Sequence, residues 1–228
     1  MNTIKHRRDL KTDTLLESLR TKLKNDKRTI AMLDLGSGSS HFTTSTRKIN
    51  TIAKTSLTPG KFAAFYSRIV EHYDLRQIVE LGTSLGICTL YLARKENANV
   101  TTFEGSPEIA TLARSNFDFF QAKNIDLHEG DIDTTLPSFL DSSRVLDFIF
   151  MDANHRYEPT KRYFNWFIQR IHKKSIMVID DIHYSMEMEK AWEEIRMDKT
   201  VHSSLDLYRC GILFFDPSLN KQHYVLQF

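Results

Sequence analysis

Apolar positions recur at two spacings along this chain, and the change from one to the other marks its elements. Leu15, Leu16, Leu19 and Leu23 follow a helical period and predict a helix from Thr14 to Leu23, ended by the polar Asn25 to Lys27. IAMLDLGSGSS (Ile30 to Ser40) is a short apolar run closing on glycines, and the Ser/Thr-rich basic stretch after it, to Lys54, reads as loop or weak helix. Thr58 and Pro59 open a second helix, Lys61 to His72, with an apolar stripe of Phe62, Phe65, Tyr66, Ile69 and Val70.

Beyond Asp74 the blocks alternate regularly. QIVELG is followed by a helix from Ile87 to Lys95, NVTTFEG by a helix from Pro107 to Ala122, and IDLHEGD and LDFIFMD are two further strands. After Pro159 a helix carries Tyr163, Phe164, Phe167 and Ile171; SIMVIDD is a strand and Met186 to Met197 another helix. Near-continuous apolar runs are what strands buried on both faces of a parallel sheet require. The end differs: LDLYRCGILFFD and HYVLQF read as two strands joined by a turn around Pro217 to Lys221, an antiparallel hairpin. The expected fold is a Rossmann-like, doubly wound, mostly parallel α/β sheet closed by that hairpin. Residues 1–73 form an N-terminal helical extension with a short strand-turn segment, packed on a core of residues 74–228.

The 228 residues, 41% hydrophobic and 26% charged, fit one folded domain. A formal net charge of +2 gives no field for nonspecific nucleic-acid binding, and Lys5, His6, Arg7, Arg8 and Lys11 read as a solvated basic tail. Cys88 and Cys210 sit in apolar stretches without disulfide or zinc spacing, so free thiols in a reducing compartment are expected. The N-terminus lacks an apolar leader, and no run approaches the roughly 18 apolar residues of a membrane span. A cytoplasmic protein with a small-molecule partner, and neither nucleic acid nor membrane, follows as the expectation. The terminal hairpin and the N-terminal helices both suit a homodimer contact.

Two segments compete for a cofactor turn, LDLGSGSS at Leu33 and VELGTSLG at Val79. A nucleotide-type cofactor needs a strand, a glycine turn, a helix, and a second strand ending in an acid for the ribose hydroxyls. Only the second segment has all four, from Ile78 through Gly82 and Gly86 into a helix and on to Glu104. The first is followed by HFTTSTRKIN, poor helix material, and reads as a strand with a tight turn.

ELGTSLG resembles motif I of class I S-adenosylmethionine-dependent methyltransferases. Glu80 before the glycines separates it from the NAD fingerprint, since a pyrophosphate there would be repelled, whereas S-adenosylmethionine carries a cationic amino group and sulfonium. The resemblance implies that Glu80, Gly82, Thr83, Ser84 and Gly86 frame the methionine end. It also implies that Glu104, Gly105 and Ser106 serve the ribose and that Gly130, Asp131 and Ile132 border the adenine; Asp152, at the end of the fourth strand, is a further candidate on the cofactor side. Catechol-type relatives have a serine where Cys88 stands, and Thr89 or a backbone amide is then the substitute contact.

Ligands in open α/β sheets bind beyond the carboxyl ends of strands, and FMDANHRYE and VIDDIHYS place Asp152, Asn154, His155, Asp180, Asp181 and His183 there. The pattern resembles the metal-dependent O-methyltransferases of the catechol and macrolide-sugar types, which implies Asp152, Asp180 and Asp181 as magnesium ligands. His155, three residues after Asp152, is then the general base. The bland alternatives are a cofactor-side Asp152, a helix-capping Asp180, a surface ion-pairing loop at His155 and Arg156, and a packed His183. No NPPY-like tetrad or PC pair follows the strands, which disfavours exocyclic base amines and cytosine-C5 as acceptors and leaves oxygen. Tyr157, Tyr163, Trp166, Tyr184 and Trp192 are candidate pocket walls, against a core role. The leading expectation is a magnesium-dependent O-methyltransferase acting on a small hydroxylated molecule. A metal-independent methyltransferase, an NAD-linked oxidoreductase and a noncatalytic cofactor-binding relative are the alternatives.

Overall fold

The computed structural model describes residues 12–34, 43–142 and 145–228. In chain order the elements are α1 (Thr14–Asn25), β1 (Thr29–Asp34), β2 (Thr43–Lys48), α2 (Ile49–Thr55), α3 (Gly60–His72), β3 (Gln77–Leu81), α4 (Ile87–Leu92), β4 (Asn99–Glu104), α5 (Pro107–Phe119), β5 (Ile125–Glu129), α6 (Ile132–Ser142), β6 (Leu146–Met151), α7 (Tyr157–Phe167), β7 (Ile171–Asp180), α8 (Met186–Arg196), β8 (Ser203–Asp206), β9 (Cys210–Phe214) and β10 (Gln222–Val225). β1 and β2 make a two-stranded sheet, and the other strands an eight-stranded one in the order β10-β8-β9-β7-β6-β3-β4-β5. The expected α/β architecture is present, with strands alternating with helices from β3 to α8. By contacts the chain divides into two compact units.

The first unit comprises residues 1–75 and 83–131. Asp13 caps α1 by accepting from the Leu15 and Leu16 amides, and the helix buries Leu16, Arg20 and Leu23 on one face. Tyr91 on α4 ties this helix down, because its hydroxyl donates to Glu17 and accepts from the Asp13 amide, while Arg94 pairs with the Asp13 carboxylate at 2.8 Å. β4 and β5 run parallel, from Val100 opposite Ile125 to Glu104 opposite Glu129, so their acid-bearing ends lie together.

The second unit comprises residues 76–82 and 132–228. β3, β6 and β7 are parallel, Ile78 facing Phe148 and Phe148 facing Ile176. Val79, Leu81, Phe148, Ile149, Phe150, Met177, Val178 and Ile179 are all buried, both faces being covered. At the opening of these strands Asp147 accepts from the Arg76 and Gln77 amides through one oxygen and pairs with His172 at 2.8 Å through the other.

The structure corrects several expectations. Thr43 to Lys48, read as loop or weak helix, is the antiparallel partner of β1, Thr29 facing Lys48. Its Thr-rich composition is β-branched and strand-compatible, a signal its polarity masked. The glycines after β1, like the basic cluster at Lys5 to Lys11, lie outside the described residues. Ile171 belongs to β7 and not to the preceding helix, which ends at Phe167. The helix α6 carries Pro137 within it, a residue whose usual effect is to end a helix. Finally, the antiparallel hairpin is β8–β9, with its turn at Leu207 to Arg209, where Tyr208 adopts φ +68°. β10 pairs parallel with β8, Gln222 facing Ser203, rather than folding back on β9.

Candidate active site

In the second unit, the turn after β3 begins at a tight approach. Asp152 donates its amide to the Leu81 carbonyl at 2.9 Å, and a Cβ at Gly82, where φ is +93°, would lie 2.2 Å from the Asp152 carbonyl oxygen. Gly82 is therefore demanded by the protein's own backbone, since no side chain fits between the turn and the end of β6. Glu80, in register with Phe150, is fully buried.

In the first unit, the turn continues onto β4. Thr83 donates its amide to the Phe103 carbonyl, its hydroxyl meets that of Thr102 at 2.6 Å, and Gly86 (φ +79°) donates back to the Thr83 carbonyl and opens α4. Glu104 organises this corner: one carboxylate oxygen accepts from the Ser84 amide and the other from the Ser106 amide, both at 2.9 Å. The Glu104 carbonyl accepts from the Gly130 amide. Thr83, Ser84, Glu104, Gly105, Ser106 and Gly130, all singled out from the sequence, are thus joined; Asp131 is exposed and Ile132 is buried at the start of α6. Burial pushes the Glu104 carboxyl up, and the Ser106, Ser84 and Gly105 amides pull it part of the way back. With three amide donors on about four lone-pair sites, the carboxylate keeps room for a further donor. The Ser84 hydroxyl, buried in a residue at φ +48°, has no hydrogen-bond partner among the described residues. An unmet hydroxyl and a carboxylate with spare acceptors fit a ligand bearing an amino acid end and ribose hydroxyls, as S-adenosylmethionine does.

A second cluster forms in the second unit beyond β6 and β7. His155 Nε2 stands 3.4 Å from Asp152 Oδ1 and 4.0 Å from Asp181 Oδ2. One ligand-capable atom from each of Asp152, His155 and Asp181 lies within 4.8 Å of the others. All three side chains are part-exposed. Hard carboxylate oxygens with access to water fit a cation such as magnesium, which keeps several waters and takes one or two carboxylates. Asn154, His155 and Asp181 adopt φ +65°, +33° and +53°. Such backbone is uncommon outside glycine, least so for Asn and Asp, and it concentrates at functional sites. Asn154 is fastened by donating to the Tyr163 hydroxyl at 2.6 Å.

Asp180 stands apart from that group. It is fully buried, Oδ2 pairs with Arg209 Nη2 at 2.7 Å, and Oδ1 has no hydrogen-bond partner among the described residues. Burial, and then the Asp152 carboxylate, drive its carboxyl well above the usual range against the pull of Arg209. Arg209 also lies 3.8 Å from Asp181. Sequence reasoning missed this arginine, because nothing in YRCG marks a turn on β8–β9 as a neighbour of β7.

His183 is engaged structurally: its ring bridges Asp206 at 2.8 Å and Glu189 at 3.2 Å and stacks on Tyr208. Of the aromatic set, Tyr163 and Trp192 are core residues, Tyr157 bonds Glu194, Trp166 lies under Arg162, and Tyr184 is exposed with its ring 6.1 Å from His155.

Solved structures share this architecture. The O-methyltransferase from Bacillus cereus in complex with SAH is 20% identical, with a TM-score of 0.62 over 70% of this chain and 83% of that one. TomG from Streptomyces achromogenes, an O-methyltransferase involved in tomaymycin synthesis and bound to SAM, is 18% identical, with a TM-score of 0.63 over 71% and 82%. A cofactor-bound protein from MTB is 16% identical, with a TM-score of 0.67 over 89% and 90%. The fold is that of the class I methyltransferases. Residues 79–182, which run from the glycine turn to the paired aspartates, match the family model described as a methyltransferase domain. No curated protein matches the chain. Among the described residues no helix is long and apolar enough to cross a membrane.

Proposed function

We propose that this chain is an S-adenosylmethionine-dependent O-methyltransferase that uses a divalent cation, magnesium, to methylate a small hydroxylated molecule. The observation that carries the reading is the convergence of Asp152, at the Gly82 turn, with His155 and Asp181, both of them on left-handed backbone. The similar proteins from Bacillus cereus and Streptomyces achromogenes, both O-methyltransferases, support the choice of oxygen as acceptor.

S-adenosylmethionine supplies a methyl group made electrophilic by its cationic sulfur. Ser84 and the turn up to Gly86 receive its amino acid end, Glu104 accepts from its ribose, and Asp131 and Ile132 border its adenine. Asp152 and Asp181 would hold a cation, which would supply Lewis acidity toward an acceptor hydroxyl. His155, whose Nε2 stands 3.4 Å from Asp152 and 4.0 Å from Asp181, takes the acceptor proton. The remaining task is alignment, which fixed strand ends serve well.

The test is initial rate against magnesium concentration with phenolic and sugar-hydroxyl acceptors, read by S-adenosylhomocysteine release. His155→Ala should lower the rate by about 100-fold with the magnesium requirement unchanged, and Asp181→Asn should raise the magnesium needed. Full activity of the wild type in EDTA would refute the cation.

A further inference from the structure

The pairing of Arg209 with Asp180 is hard to explain as stabilisation alone. Asp180 is fully buried, yet only one of its oxygens is satisfied, and Arg209 reaches it from a turn whose residue Tyr208 sits at φ +68°. A buried ion pair left half-satisfied contributes little, because desolvation offsets most of the attraction. The arrangement makes sense when a second positive group completes it. Arg209 lies 2.7 Å from Asp180 and 3.8 Å from Asp181, so the half-satisfied carboxyl is one guanidinium away from the cluster of Asp152, His155 and Asp181. Arg209 also fixes a direction, since gripping Oδ2 determines where Oδ1 points, as partners of metal-bound carboxylates commonly do.

The geometry points to Arg209 as a positioning residue, which holds Asp180 by one oxygen so that the other completes the cation site of Asp152 and Asp181. The inference rests on the cation reading above. It assigns to the β8–β9 turn a role that motif and family pattern leave blank, and it has a consequence opposite to simple electrostatics. A guanidinium 3.8 Å from Asp181 repels a cation there, so by charge alone its removal would tighten cation binding. Were Arg209 to act by orienting Asp180, its removal would weaken it.

The experiment uses the full chain and Mn2+ alone as a paramagnetic stand-in for magnesium, with affinity from electron paramagnetic resonance and bound-water count from proton relaxation. Thermal melts check folding. Arg209→Met is expected to weaken Mn2+ by about tenfold and to add one bound water where the Asp180 oxygen is lost, with Arg209→Lys within about threefold of wild type. In an Asp180→Asn background, the same Arg209→Met change should no longer weaken binding. Equal or tighter Mn2+ binding by Arg209→Met in the wild-type background overturns the proposal, as does weakening that persists in the Asp180→Asn background. Should Arg209→Met not fold, Arg209→Gln is read by the same criteria. Absence of Mn2+ binding by the wild type refutes the cation reading itself and this proposal with it; binding by the wild type with the wrong sign in the variants refutes only the role of Arg209.

Discussion

Replacing Glu104 by glutamine tests the cofactor corner most sharply, because the side chain is nearly isosteric and only its charge and one acceptor change. In the wild type each carboxylate oxygen receives one backbone amide, from Ser84 and from Ser106, at 2.9 Å. A glutamine keeps one of these bonds and turns an N–H toward the other donor. Hydrogen bonds to a charged group contribute about 1.5–3 kcal/mol, and relief of the buried charge returns part of that, so a net cost of about 1–2 kcal/mol to the free protein is expected. For a chain of this length that lowers the melting midpoint by roughly 2–8 °C. Ligand affinity carries a separate loss, since one charge-assisted bond to the ribose disappears; about 1.5–3 kcal/mol corresponds to one to two powers of ten in Kd for S-adenosylhomocysteine. Titration calorimetry reads the affinity and a melt without ligand reads the brace. The pH dependence supplies a third check. Burial raises the Glu104 pKa, so the carboxylate protonates at a pH above the ordinary carboxyl range, and wild-type affinity should begin to fall there as pH is lowered while the glutamine variant stays flat. A variant that melts lower but binds S-adenosylhomocysteine within twofold of wild type, with the same pH profile, would leave Glu104 a brace for the turn and refute the ribose assignment.

Two further outcomes concern the frame. Asp147 has a lowered pKa: burial works against it, but the Gln77 amide, His172 and the Arg76 amide outweigh that, so its stabilisation is present above the ordinary carboxyl pKa and is lost as pH falls through the depressed value. Asp147→Asn should therefore cost about 2 kcal/mol in urea unfolding at pH 7, with the gap to wild type closing toward pH 3; a gap that persists in acid would count against the charge. Gly211→Ala would set its Cβ 2.3 Å from the nearest atom of the Trp192 ring, and about 1–3 kcal/mol of destabilisation is expected from overpacking, so unchanged denaturant midpoints would mean that the ring shifts freely.

What could be read in advance was what is local. Ile78 to Leu92 announces a strand, a glycine turn and a helix within fifteen residues or so, and the apolar runs at Phe148 to Met151 and Ile176 to Ile179 announce strands covered on both faces. The errors fall where the deciding contact is distant or contrary to composition. Nothing within HYVLQF says that its partner is β8 rather than the adjacent β9, because a parallel pairing is set by the path of the chain between. Thr43 to Lys48 pairs with β1, and its polar, Thr-rich composition carries no apolar alternation to mark it as a strand. At the site, DANH and DD supply the Asp152, His155 and Asp181 that the fold brings together, but the different surroundings of Asp180 and Asp181 come from Arg209, about thirty residues on, whose approach no spacing rule encodes.

The approach of Gly82 to Asp152 has a consequence for anyone who would rebuild this protein. With 2.2 Å between a hypothetical Cβ at Gly82 and the Asp152 carbonyl, and with the Asp152 amide bonded to Leu81, the glycine turn and the aspartate form a single backbone joint. Loops elsewhere can be lengthened, swapped or borrowed from another scaffold, but Asp152 must travel with Gly82. A chimera whose crossover separates residues 77–82 from residues 146–155 has to bring the same joint from one parent, and libraries that mutate the two stretches independently will spend most of their members on turns that cannot close.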